Sequence, residues 1–286
     1  MPLTALCAVL LAALCHAVWN LSAKRAANSR HFVWLYSVGS VLAWGPVVAW
    51  VLAREHPHFT STQYLALAAT ATLHLLYSLS LQAGYRAADL SVVYPIARGT
   101  GPLLSFAGAV LLFGERPGPL SIAGLLLIVA GIVLVADLHR AMQRAALPGL
   151  YWGALTGCCI AAYTLNDGWA VKVLAISPFL IDYSGNCFRV LVLSPRALAD
   201  RATVALELRQ YLRPALVVAV LGPLGYTLVL FAMRVAPISH VAPARELATL
   251  AGTWFGARML KERAAAQRLA GALCIVAGVV SLALSG

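Results

Sequence analysis

Apolar residues in this chain come in runs of roughly 17 to 25, separated by short polar breaks, which is the length an α-helix needs to cross about 30 Å of hydrocarbon at about 1.5 Å per residue. The runs lie near residues 3–22, 32–53, 63–84, 90–113, 120–137, 149–171, 177–195, 213–233, 238–260 and 268–285. Irregular backbone cannot face lipid with unpaired N–H and C=O groups, so each run is read as a helix, and the pattern predicts ten spans. The one long charged connection runs from Arg196 to Arg213.

Composition strengthens that reading. Of the 286 residues 61% are hydrophobic and 11% are charged, where soluble domains carry about 25% charge. This excludes a water-soluble enzyme, a disordered chain and a secreted disulfide scaffold. The net charge of +11 is scattered among the breaks without a long basic run, so nucleic acid is not an expected partner and the lipid bilayer is. Cys7, Cys15, Cys158, Cys159, Cys187 and Cys274 lie in or beside apolar runs without zinc-site spacing, and no metal or cofactor is expected. Lys24 and Arg25 follow the first run and no basic residue precedes it, the reverse of a signal peptide, so this run is expected to stay in the mature protein. Most Lys and Arg lie in the breaks after alternate runs, leaving Arg54, Arg116, Lys172 and Arg234 on the other face. This bias predicts termini outside the cytoplasm, and the membrane expected is a bacterial inner membrane.

The chain repeats itself. A shift of 147 places Arg98 on Arg245, Glu115 on Glu262, Arg116 on Arg263 and Gly124 and Gly131 on Gly271 and Gly278, and a shift of 148 places Pro95 on Pro243. The expected organisation is a five-helix unit over 1–137, a linker over 138–148 and a second unit over 149–286. Five is odd, so the copies would run in opposite senses. The fold class expected is an all-α integral membrane protein of ten transmembrane helices in two inverted five-helix repeats, an arrangement of many secondary transporters. Gly124 and Gly131, Gly271 and Gly278, and the Gly252–Gly256 pair predict close helix packing.

Ionisable residues inside apolar runs are costly, and they face a partner or a wet cavity. His16, Trp19 and Asn20 share one helical face, as do His74 and Tyr77. The alternatives are a solute-binding wall or helix-packing glue for the first set, and a cavity or an interfacial aromatic belt for Tyr77. In Tyr94-Pro95-Ile96-Ala97-Arg98-Gly99 the proline and glycine predict a broken helix with Arg98 in a cavity. Arg98 with Asp167, or Arg245 and Glu246 with partners elsewhere, could instead form closed ion pairs. Tyr163, Asn166 and Asp167 form a polar cluster, and Asp167 is open to two roles, proton carrier or fixed charge. Asn186 and Arg189 face a cavity or snorkel to the interface, and Gly222-Pro223 marks a second hinge beside Tyr226.

Gly114-Glu115-Arg116 and Lys261-Glu262-Arg263, each before a Gly-rich helix, resemble the EamA branch of the drug/metabolite transporter superfamily over essentially the whole chain. His16-Ala17-Val18-Trp19-Asn20 and Asp89-Leu90-Ser91 through Gly99 resemble a subgroup associated with phosphonate utilisation. The resemblance implies export or exchange of a small metabolite through a central cavity. Substrate contacts would come from His16, Trp19, Asn20, His74, Tyr77, Tyr94, Arg98, Tyr163, Tyr226 and Arg245. Asp167 and Glu246 would act as proton-coupling groups or charge partners, and Pro95, Gly99 and Pro223 as hinges. Membrane arginines suit an anionic or zwitterionic solute such as an amino acid or aminophosphonate. Alternatives are an exporter of cationic or neutral drugs or metabolites, an intramembrane enzyme, or a non-transporting scaffold or sensor. Transport would be coupled to protons or to a counter-substrate, in a monomer or homodimer.

Overall fold

A computed structural model describes residues 1–26, 29–88, 90–135, 147–248 and 265–285. All regular structure among them is helical. The helices are α1 (Leu3–Arg25), α2 (Phe32–Glu55), α3 (Ser61–Ala87), α4 (Leu90–Phe113), α5 (Pro119–Val135), α6 (Leu147–Lys172), α7 (Pro178–Ala199), α8 (Arg201–Val235), α9 (Ile238–Ala244) and α10 (Ala265–Leu284). Most of the linker expected over 138–148, the Lys261-Glu262-Arg263 turn and the Gly252–Gly256 motif lie outside the described residues.

Among the described residues five helical stretches are long and apolar enough to cross a membrane: Leu3–Ala23, Phe32–Glu55, Ser61–Leu81, Pro95–Phe113 and Arg201–Val235. This corrects the expectation of ten transmembrane helices in two inverted five-helix repeats. The physical reasons differ by segment. Within the described residues α5 has 17 residues and the apolar part of α10 is Leu269–Leu284, both short of the roughly 20 residues that a span needs. α7 carries Asp182, Arg189 and Arg196 along its length. The run expected over 238–260 opens as the seven-residue α9 and turns at Arg245 and Glu246.

The outside of the bundle is apolar and much of its polarity is inside. Leu42, Leu65 and Leu111 are exposed, whereas Thr70, Ser105, Thr156, Asp167, Asn186 and Glu246 are buried. Water would penalise such a surface and hydrocarbon does not. α1 packs on α8, α6 on α3 and α4, α2 on α7 and α8, and α5 on α10. Local signals set several ends. Thr60 and Gln63 form a reciprocal capping box at α3, with the Gln63 amide oxygen accepting from the Thr60 N–H at 2.9 Å. Gly114, at φ +65°, turns the chain out of α4. The Glu115 carboxylate then accepts from the Ile238 and Ser239 N–H groups at 2.8 and 2.9 Å. The glutamate of the Gly-Glu-Arg turn therefore caps α9 and ties the two parts of the chain together.

The seven-residue glycine spacing does what close packing requires. A Cβ on Gly131 would stand 2.6 Å from the Gly271 carbonyl oxygen, and one on Gly278 would stand 2.5 Å from that of Gly124. Backbone atoms cannot swing aside as a side chain can. Gly131→Val is expected to destabilise the protein by about 1–3 kcal/mol through overpacking, read as a lowered thermal midpoint in detergent. Gly118→Ala, whose new Cβ meets nothing within 4 Å, is the control expected to cost far less.

Candidate functional site

α1, α3, α4, α6 and α8 converge on a cavity of about 160 Å³. His16 and Trp19 of α1, His74 and Tyr77 of α3, Arg98 of α4, Tyr163 of α6, Tyr226 and Pro223 of α8, and Arg245 after α9 all line it. Helical spacing explains the grouping on each element, since residues three apart share a face. The His16 and Trp19 rings meet edge to face at 4.6 Å. Tyr163 stacks on His74 at 4.1 Å, and Tyr226 meets His74 edge-on at 5.1 Å. Tyr226 reaches this point because Gly225 lets α8 approach α1, where a Cβ would already stand 3.2 Å from Cys15.

Asp167 lies behind this aromatic wall with no solvent exposure. Its carboxylate accepts from the Thr70 and Tyr226 hydroxyls, from His74 Nε2 at 3.0 Å and from the Asn166 amide at 3.1 Å. Four donors from α3, α6 and α8 thus replace the water that a carboxylate loses on burial. Asp167 does not itself line the cavity. It fixes the rings that do.

Arg98 is held by two acceptors. It donates to Glu246 Oε1 at 3.1 Å and to His16 Nε2 at 2.8 Å. A guanidinium has no acceptor, so the His16 proton sits on Nδ1. Of the closed pairs considered from sequence, Arg98 with Asp167 does not form, and Glu246 finds its partner elsewhere, in Arg98. Arg245 differs. Its guanidinium lies 5.5 Å from the centre of the Tyr226 ring and 6.0 Å from that of Tyr163, with one long bond to Thr164 Oγ1 at 3.4 Å. Among the described residues no carboxylate pairs with it.

α2, a helix not expected at the cavity, brings Tyr36 and Ser40, and α7 brings Asp182 with Asn186 and Arg189, the last two at the cavity, which was one of the two alternatives for them. The Asp182 carboxylate accepts from the Asn186 amide at 2.8 Å, and no cationic side chain stands within ion-pair distance of it among the described residues. Arg189 instead bonds Asn186 Oδ1 at 3.2 Å and lies over Tyr36. Tyr36 and Ser40 sit four apart in an apolar run, a spacing that carried the signal. The side chains of Asn20 and Tyr94 lie outside the description. The break expected around Pro95 and Gly99 is absent, since α4 continues through both and through Pro102. α8 likewise continues through Pro223. In these helices the missing proline N–H leaves the ladder intact on either side.

A lipid-facing helical bundle around a polar, aromatic-walled cavity is the layout of a small-molecule transporter. Residues 3–136 match the EamA-like transporter family. Just under half of the chain thus resembles a family of membrane transporters. A crystal structure of another protein resembles it with a TM-score of 0.70 at 17% identity, over 98% of this chain and 99% of that one. At that identity the likeness concerns the fold. No curated protein matches the sequence.

The Arg98–Glu246 pair is 11% and 3% exposed, so removing one partner leaves the other a buried charge without this counter-ion. Arg98→Met and Glu246→Leu are each expected to cost about 3–5 kcal/mol, and the double variant to recover much of the loss. Thermal unfolding of the four proteins checks this.

Proposed function

We propose that the protein is a secondary transporter of a small zwitterionic or anionic metabolite, of the kind represented by amino acids and aminophosphonates. One observation carries the reading. The cavity presents Arg245 without a carboxylate partner and Asp182 without a cationic partner among the described residues. A charge left unpaired away from bulk water is costly, and a solute that carries the opposite charge relieves the cost. A zwitterion relieves both.

In this reading Arg245 takes the carboxylate or phosphonate as a planar fork. Tyr163 and Tyr226 hold its guanidinium from behind, and Asp182 takes the ammonium. Trp19 and His74 enclose the organic part, and Arg98, already paired, sets the electrostatic potential of the wall. Asp167 is assigned the role of fixed charge partner, because its lone pairs are occupied by four donors. Asp182 also supports a second reading, transport of cations, which the same experiment separates.

The test is uptake and counterflow in proteoliposomes with an amino acid, an aminophosphonate, a simple carboxylate and a lipophilic cation. Movement of the zwitterions is expected. Loss of one charge-assisted bond is worth about 1.5–3 kcal/mol, so Arg245→Gln should weaken their apparent affinity roughly ten- to hundredfold. Asp182→Asn should weaken zwitterions while sparing the simple carboxylate. Transport of the lipophilic cation alone, lost in Asp182→Asn and kept in Arg245→Gln, would sink the proposal.

A further inference from the structure

The longest helix does two jobs. α8 has 35 residues, about 52 Å at 1.5 Å per residue, against a hydrocarbon layer of about 30 Å. Its continuous apolar stretch begins after Pro214. The stretch from Arg201 to Arg213 therefore extends past the hydrocarbon. Its two faces differ sharply. Glu207 points inward and is 7% exposed, accepting from the Ser29 hydroxyl at 2.7 Å and from the Arg30 and His31 N–H groups at 2.7 and 2.9 Å. The neighbouring Asp200 is engaged by His31 Nε2 at 3.1 Å. Among the described residues, the two carboxylates beside this stretch are thus already engaged, Glu207 buried and Asp200 at the surface.

The outward face carries Arg201, Arg209 and Arg213 together with Leu206, Leu208 and Leu212, and all six are exposed. At 100° per residue these positions fall within one broad arc of the helix, roughly opposite Glu207. None of the three arginines pairs with a carboxylate among the described residues. Open water leaves the leucines unsatisfied, and hydrocarbon leaves the arginines unsatisfied. The headgroup level of a bilayer satisfies both, with guanidinium groups on phosphates and leucines in the upper acyl region.

We propose that Arg201–Arg213 of α8 is a binding site for anionic phospholipid, recognised through its headgroup phosphate and its negative charge. Inward capture of Glu207 fixes the helix rotation that aims the arginines at the lipid. The site belongs to the bundle's membrane contact and is independent of which solute the cavity takes.

The test titrates detergent-purified protein with phosphatidylglycerol and, separately, with phosphatidylcholine, reading the thermal midpoint; inorganic phosphate is the third probe. Phosphatidylglycerol is expected to raise the midpoint, phosphatidylcholine and inorganic phosphate to leave it nearly unchanged, and high salt to suppress the response. Arg201→Gln/Arg209→Gln/Arg213→Gln should raise the half-maximal phosphatidylglycerol concentration on the order of a hundredfold. Arg201→Lys/Arg209→Lys/Arg213→Lys, which keeps the charge, should retain most of the response. If the glutamine variant does not fold, the salt response of the wild-type protein decides. Equal stabilisation by phosphatidylcholine, an unchanged response in the folded glutamine variant, salt insensitivity, or equal stabilisation by inorganic phosphate would overturn the proposal.

Discussion

A carboxylate with no access to water must receive hydrogen bonds from the protein or it will not be tolerated, and Asp167 is the point where this constraint organises the bundle. Its four donors come from three helices, and two of them, His74 and Tyr226, are themselves walls of the cavity. Satisfying the charge and shaping the site are one event. Moving any of α3, α6 or α8 away would strand a charge and two rings together.

The same constraint recurs elsewhere with different partners. Glu246 is answered by Arg98, and Arg98 in turn by His16. Glu115 and Glu207 are answered by main-chain N–H groups at the starts of α9 and α2. Each acid joins segments far apart in sequence, so the polar interior works as a set of clasps between helices whose apolar surfaces would otherwise slide on lipid-like neighbours. Against this background Arg245, Arg189 and Asp182 stand out, since among the described residues none of them makes an ion pair and all three line the cavity.

Apolar packing supplies the remaining order. The glycine pairs of α5 and α10 bring backbones into contact, and Gly225 brings α8 onto α1. These contacts fix helix spacing by shape, where hydrophobicity gives little discrimination inside a membrane. The outward stretch of α8 is the complement, a surface whose leucines and arginines are reconciled at the headgroup level.

Several features were legible in the residues alone. Run length and scarcity of charge determine an all-helical membrane protein, because backbone in lipid has no other way to pair its polar groups. The i, i+3 spacing of His16 with Trp19 and of His74 with Tyr77 determines that each pair shares a face, and both pairs do line the cavity. The glycine register determined where helices meet closely. Hydropathy did not determine the number of spans, since α5, α7 and α9 are each too short or too polar to qualify. Nor could local sequence show that α4 runs on through Pro95 and Gly99, because neighbouring helices decide whether a proline breaks the ladder. Only the tertiary structure decided that Arg98 belongs to Glu246 and that Tyr36 and Asp182 belong to the cavity. Pairing depends on how helices rotate and approach, which is set by contacts between residues a hundred or more positions apart and has no local signature.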